Sequence, residues 1–249
     1  MNYMGGKHRQ GPIIAKIIRE VLDDQWYVEP FCGALGVASR VAHDKMILSD
    51  ISAPLINMWD AFLDPSLELP DVVSEDEYLR IKAIKDPSDW RTAYYGFGMS
   101  FGSKYWGGYA REGRSTNCAA NLKRSTSLKR STNLKRSLTG DARFVISSYD
   151  NLKIPADSVV YCDPPYHDRT TPYGNSTFNH HAFWDWSRSM VLAGHVVLVT
   201  EFSVPSDFVV LHDFGDTVVR HHSAKPADGT REVLVCHESQ SILFDGHSF

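Results

Sequence analysis

No apolar run in this sequence approaches the roughly 18 residues that a membrane-spanning helix needs. The opening stretch MNYMGGKHRQ has no apolar signal core either. Both absences predict a cytoplasmic protein with no membrane partner. Cysteine is scarce and scattered: Cys32, Cys118, Cys162 and Cys236 form no CxxC pair. That favours reduced thiols over a disulfide framework or a zinc site. Metal-ligand spacing is missing as well, because His180-His181 and His221-His222 are adjacent pairs whose side chains usually point apart. No metal is expected.

What is present is enough for one sizeable core, with 43% hydrophobic and 22% charged residues in 249. The charge is uneven. Between Arg111 and Arg143 nine basic residues meet two acidic ones, a local charge of +7 in a chain of −4, so the remainder carries −11. An acidic body with one basic segment suits a polyanion binder, and it equally suits a solvated surface loop.

The hydrophobic pattern alternates between two periods. Ile13 to Leu22 has helical spacing, and Gln25 to Phe31 reads as a strand closing on Gly33 and Gly36. A small-residue helix (Gly36 to Ala42), a strand (Met46 to Ser49) ending in Asp50, and a helix (Pro54 to Phe62) follow. Residues 65 to 143 break the rhythm with further helical pattern and then Gly-, Ser- and Arg-rich sequence. It resumes with strands at Phe144–Ser147 and Val159–Cys162, a helix at Ala182–Leu192 and a strand at His195–Thr200. Phe208–Leu211 and Glu232–Cys236 read as closing strands. Strands separated by helices predict an α/β protein, its sheet mostly parallel and covered by helices on both faces. In such sheets ligands bind beyond the carboxyl ends of the strands.

Two motifs fall at such ends. In VEPFCGALG, glycines after a strand permit close backbone approach, and the next helix offers free N–H groups. Asp50, at the following strand end, can accept both hydroxyls of a ribose. This is the logic of a nucleoside cofactor, though dinucleotide sites and plain tight turns share it. In VVYCDPPY, the Asp163 carboxylate and the Pro164 carbonyl offer two acceptors held by restricted proline dihedrals. Two such acceptors fit one exocyclic amino group, and Tyr166 can stack on the flat base that carries it. The bland reading is a strand ending in a proline turn with a capping aspartate.

The ordered set YMGGK, EPFCGALG, LSDIS with PLINMW, and YCDPPY resembles the DNA adenine methyltransferase family that includes the Dam enzymes. The resemblance covers residues 1–60 and 144–205 well and 61–143 poorly. FNHHAFWDW and VVLVTEFSVP are similar to phage-encoded members. It implies a Rossmann-like methyltransferase fold with S-adenosylmethionine as cofactor and double-stranded DNA as partner, in a bacterial or phage-infected cell. The implied domain formed by residues 1–60 and 144–249 is catalytic, and 61–143 is an inserted target-recognition segment. By the same resemblance Tyr3, Gly6 and Lys7 flank the methionine end of the cofactor, and Glu29, Pro30, Phe31 and Gly33 form its loop. Asp50 holds the ribose, Tyr149 and Asp150 lie near the cofactor adenine, and Asp163, Pro164, Pro165 and Tyr166 grip the target base. One departure stands out: the family loop is usually FxGxG, but Leu35 occupies the place of the second glycine and Gly36 follows. That predicts a loop shifted by one residue or a less close backbone.

The implied reaction is direct attack of an adenine amino nitrogen on an activated methyl group. Acceptors on the amino hydrogens help most as the new bond forms, and alignment supplies much of the rest. The nitrogen is paired in a duplex, so the base must be flipped out, at a cost of a few kcal/mol. Asp163 accepts only when ionised, so activity should fail in acid.

For DNA contact, FGSKYWGGYAR interleaves aromatic and basic residues, with Lys104, Tyr105, Trp106 and Arg111 as candidates, although such a stretch also suits a turn packed on the core. The hexapeptide repeat NLKRST-SLKRST-NLKRSL (Asn121 to Leu138) adds Lys123, Arg124, Lys129, Arg130, Lys135 and Arg136. Six residues turn a helix through about 600°, so Leu122, Leu128 and Leu134 share no helical face. A basic arm binding phosphates, weakly ordered without DNA, is expected. The hairpin of GATC-reading members is not found, so the target is another short motif or nearly none, and relaxed specificity is the expectation. Two other readings stay open: transfer to cytosine N4, to RNA or to a protein glutamine, and a non-catalytic DNA-binding scaffold.

Overall fold

The computed structural model describes residues 6–64, 66–70, 73–101, 104–111, 141–166, 178–216 and 231–245. Helix α1 (Gly11–Val21) leads into strand β1 (Tyr27–Glu29), the short helix α2 (Ala38–Val41), strand β2 (Met46–Asp50) and helix α3 (Ala53–Ala61). Helices α4 (Glu75–Ile84) and α5 (Trp90–Gly98) precede strands β3 (Arg143–Ile146) and β4 (Val159–Cys162). Helix α6 (His180–Leu192) and strands β5 (Val196–Glu201), β6 (Phe208–Asp216) and β7 (Arg231–His237) complete the described elements, with a 3₁₀ segment at Glu238–Phe244.

The strands form one sheet in the order β3-β2-β1-β4-β5-β7-β6. The first five run parallel, while β7 is antiparallel to both β5 and β6. Strand order reverses between β1 and β4, so the carboxyl ends of these two neighbours flank the switch point where α/β sheets bind ligands. Glu29-Pro30-Phe31 leaves one and Asp163-Pro164-Pro165 leaves the other. The two distant motifs meet there because of topology.

Both faces of the central strands are apolar, as expected for parallel strands covered twice. On one face Tyr27, Met46, Leu48, Val159 and Tyr161 pack with Ile14, Ile17 and Ile18 of α1 and Leu55 and Met58 of α3. On the other, Val28, Ile47, Val160 and Cys162 pack with Phe183 and Trp184 of α6. Cys32, Cys162 and Cys236 are buried free thiols.

The expected elements are present, with shifted ends. The small-residue helix expected from Gly36 begins later, at Ala38, because residues 33–36 are held in a turn by Leu35 N–H donating to Cys32 O at 2.8 Å. The strand expected over Phe208–Leu211 runs on to Asp216 through register shifts.

Helices α4 and α5 lie in the region expected to be an insertion. Ser74 caps α4 by accepting from Glu77 N–H, and Asp89 caps α5 by accepting from Arg91 N–H. Tyr78, Ile81, Ala93, Tyr94 and Phe97 join the same core as α1 and α3. These two helices therefore extend the main core.

Candidate active site

The turn after β1 shows how a leucine can serve in a glycine-type loop. Leu35 has φ 56°, the left-handed conformation that an L side chain enters at a cost of roughly 1–2 kcal/mol. Its side chain is buried in the core, and burial offsets that cost. Gly33 has φ 44°, and Trp59 Nε1 donates to its carbonyl at 2.9 Å. Gly36 is needed for a different reason: a Cβ there would lie 3.0 Å from the Lys7 backbone nitrogen and 3.3 Å from its carbonyl carbon. Leu35 adopts the left-handed conformation usual for glycine, and Gly36 admits the Lys7 backbone.

Lys7 is thereby delivered to the end of β4. Its ammonium lies 2.6 Å from Asp163 Oδ1 and 3.1 Å from Glu232 Oε1, and it also reaches the Tyr166 hydroxyl. The same ammonium sits 4.7 Å from the centre of the Tyr166 ring. The Tyr166 hydroxyl faces Asp163 Oδ1 at 2.9 Å and Glu232 Oε1 at 2.6 Å, so one proton is offered to two carboxylates. Thr200 Oγ1 approaches Asp163 Oδ1 at 3.3 Å, and Gln10 Nε2 donates to Glu232 Oε2 at 2.9 Å. The Asp163 contacts named here all fall on Oδ1, and none falls on Oδ2. Pro164 is buried and Pro165 half-buried.

One ammonium among two carboxylates leaves a local excess of negative charge. Burial opposes the Lys7 charge, but Asp163 and Glu232 outweigh it and raise the lysine pKa. Burial also raises the Asp163 pKa, with Lys7 pulling against it and Glu232 adding to it. The carboxyl groups around this cluster behave likewise. Burial pushes Glu29 up to about 8 even though the Tyr27 hydroxyl donates to its Oε2 at 3.0 Å. Burial pushes Glu201, at the end of β5, up to about 8 against the Phe202 N–H that donates to it.

Asp50 closes β2 and holds the Gly33 turn: its Oδ2 accepts from Gly33 N–H at 3.2 Å and its Oδ1 from Ser52 N–H at 2.9 Å. Burial raises it to about 6. Phe31 and Tyr149 stack with centroids 5.5 Å apart, and Phe178 and Phe183 pack edge-on against Phe31. Asp150 is exposed at the turn after Tyr149, and Gly6 is half-buried next to Lys7. Tyr3 lies outside the described residues.

The candidate DNA-contact residues divide. Trp106 is buried against Tyr78, and its backbone N–H donates to Gly96 O at 2.9 Å. Tyr105 is half-buried against Phe97, and a Cβ on Gly96 would lie 2.4 Å from the Tyr105 ring. The stretch thus folds back on α5, with Ser100 bridged to Tyr109. Lys104 is exposed, as is Phe101, and Arg111 is exposed and paired with Glu75. Lys123, Arg124, Lys129, Arg130, Lys135 and Arg136 lie outside the described residues.

Sequence reasoning missed Glu232 and Glu201. Both interrupt or end apolar strands (REVLV and VVLVTE), the same signal that drew attention to Asp163 at the end of VVYC.

The sheet order and the two strand-end motifs define an α/β protein of the Rossmann-like methyltransferase fold. Comparison with known proteins narrows this. Residues 3–96 match the family described as D12 class N6 adenine-specific DNA methyltransferase. A DNA adenine methylase of Salmonella typhi is 26% identical over 234 residues, which cover 88% of this chain and 81% of that protein. A DNA adenine methylase of Vibrio cholerae is 24% identical over 180 residues, 67% of this chain and 64% of the relative. The Type II methyltransferase M.FokI of Planomicrobium okeanokoites is 26% identical over 215 residues, 76% of this chain and 31% of its own. By these matches the chain is similar to the Dam-like, adenine-specific DNA methyltransferases.

Proposed function

We propose that the chain transfers a methyl group from S-adenosylmethionine to the exocyclic N6 of an adenine flipped out of double-stranded DNA. The observation that carries this reading is the Asp163-Pro164 turn at the switch point, with Lys7 and Tyr166 gathered on one oxygen of the carboxylate. With Oδ1 engaged, Oδ2 and the Pro164 carbonyl are the acceptors for the two amino hydrogens. Accepting both strengthens the nitrogen as a nucleophile while its bond forms, so the stabilisation is concentrated in the transition state.

The groups on the β1 and β2 side suit a cationic nucleoside. Asp50 and Glu29 are buried carboxyls that gain from a positive charge nearby, and the Phe31–Tyr149 stack gives a flat apolar wall. Asp50 would hold the ribose, Glu29 and the Gly33 turn the methionine end, and Phe31 and Tyr149 the adenine. When bound, S-adenosylmethionine supplies a methyl group already activated on a sulfonium. The chain's own residues then orient the base, hold its amino hydrogens and keep Asp163 ionised.

Exposed Lys104 and Phe101 are the DNA-facing candidates of the 101–111 turn, and Trp106 serves as its core anchor. The segment from 61 to 143 is the target-recognition region in this reading. Its specificity is relaxed, and sequencing of DNA from expressing cells tests this: methylation confined to one motif of four or more bases would refute it. The reaction itself is tested by incubating unmethylated DNA with the protein and S-adenosylmethionine, then analysing nucleosides by mass. N6-methyldeoxyadenosine is expected; methylation of cytosine alone, or of RNA or protein alone, would refute it.

A further inference from the structure

Glu201 is the last residue of β5, one position beyond Thr200, whose hydroxyl meets Asp163. The register pairs Cys162 with Val199, which places Glu201 at the same sheet edge as the Asp163-Pro164 turn, one strand over. Its side chain is 1% exposed. Oε1 accepts from the Phe202 N–H at 2.8 Å, while Oε2 is buried without a hydrogen-bond partner among the described residues. His180 Nδ1, at the first residue of α6, lies 3.8 Å from Oε2. Asp163, Lys7 and Glu232 are close enough for their charges to act on it. A buried carboxyl oxygen with no hydrogen-bond partner costs about 1–3 kcal/mol, a cost that a ligand group pairing with it would remove.

The chemistry of adenine indicates which group. Once its amino hydrogens are taken, its remaining ring nitrogens are acceptors only. The donors beside Asp163 are already engaged: Lys7 with Asp163 and Glu232, Tyr166 with the same two carboxylates, and Thr200 with Tyr161 and Asp163. A protonated carboxyl is a donor, and in its ionised form the same group would repel the lone pair. We propose that Glu201 is a specificity-determining residue that holds a proton on Oε2 and donates it in a hydrogen bond to a ring nitrogen of the flipped base, N1 or N7, on either side of the amino group. Burial favours the protonated form at neutral pH. The inference rests on the adenine-transfer reading above.

The test compares native protein, Glu201→Gln and Glu201→Leu on unmethylated duplex DNA and on the same DNA carrying 1-deazaadenine or 7-deazaadenine in place of adenine. Melting temperature and S-adenosylmethionine binding are measured alongside. Glutamine keeps a permanent donor, so E201Q should recover most of the rate near pH 7 and lose the alkaline fall expected of the native enzyme. E201L should lose roughly 10- to 100-fold in kcat/KM for DNA. One deaza analogue should slow the native enzyme by a similar factor and slow E201L no further. The inference is overturned if E201Q is as slow as E201L with folding and cofactor binding intact, or if the native enzyme accepts both analogues as well as adenine. Absence of any N6-methyladenine from the native enzyme would overturn the parent reading, a result distinct from either.

Discussion

Lys7 Nζ lies 2.6 Å from Asp163 Oδ1, joining the first glycine-rich stretch of the chain to the strand end that carries the two prolines. Lys7 is buried and Asp163 half-buried, and a single ammonium there serves Asp163 and Glu232 together. Removing the ammonium leaves two like charges facing each other, which raises the pKa of Asp163 further. Asp163 is useful when ionised, so activity is present above its raised pKa and lost as pH falls through it. Lys7→Gln should therefore move the acidic limb of the kcat/KM profile to higher pH. An unmoved limb would show that Lys7 does not tune Asp163.

Gly36 and the Lys7 backbone are in contact, so the loop conformation and the charge cluster are mechanically linked. A Cβ at Gly36 meets backbone atoms, which cannot swing aside as a side chain would. Gly36→Ala should displace Lys7 by a few tenths of an ångström and lower kcat by roughly tenfold or more, since misplacement of that order weakens alignment. Leu35→Gly, by contrast, relieves backbone strain of about 1–2 kcal/mol but removes a buried side chain costing about 2–5 kcal/mol. Chemical denaturation should find L35G less stable, and a more stable L35G would mean that the strained turn outweighs the packing.

Glu29 holds its proton to about pH 8 because it is buried, whereas in the unfolded chain it titrates near its ordinary value of 4.5. An acid whose folded pKa is raised contributes stability that is fully present below the unfolded pKa and lost as pH rises through the folded one. Thermal melts from pH 6 to 9 should therefore show falling stability, and Glu29→Gln should flatten the fall, gaining on the order of 1–3 kcal/mol at pH 9. The same substitution should weaken S-adenosylmethionine binding. If Gln stabilises without weakening the cofactor, Glu29 is a structural acid only.

Trp106 and Lys104 are two residues apart and predict opposite phenotypes. Trp106 is buried against Tyr78, so Trp106→Ala should cost about 3–5 kcal/mol of stability. Lys104→Ala and Phe101→Ala should leave the melting temperature unchanged and weaken DNA binding, K104A with a shallower salt dependence. Equal DNA affinity in both variants would move the DNA surface elsewhere.

Much of this architecture was legible because strand and helix periods differ and because the buried parallel strands are continuous apolar runs. Val159–Cys162 was delimited correctly, since proline ends it on one side. The site was legible where an unusual residue follows such a run, as with Asp50 and Asp163. Lys7's partners were not, because the lysine reaches Asp163 and Glu232 through the sheet order, and no local pattern encodes the neighbour of a strand. At Leu35 residue identity does not report conformation, because a left-handed backbone can be supplied by leucine when its side chain is well buried. Trp106, set among glycines and basic residues, suits DNA contact and core packing alike, so the local pattern alone does not decide that it packs inward on α5.

The central claim is that Asp163 acts on the amino group of a flipped adenine. The most direct measurement is transfer of labelled methyl groups from S-adenosylmethionine to unmethylated duplex DNA by the native protein and by Asp163→Ala, with cofactor binding measured for both and the product digested to nucleosides. The account predicts label in N6-methyladenine from the native protein and its loss in the variant, which still binds the cofactor. Undiminished transfer by the variant, or a native protein that binds the cofactor and leaves DNA unlabelled, would contradict it.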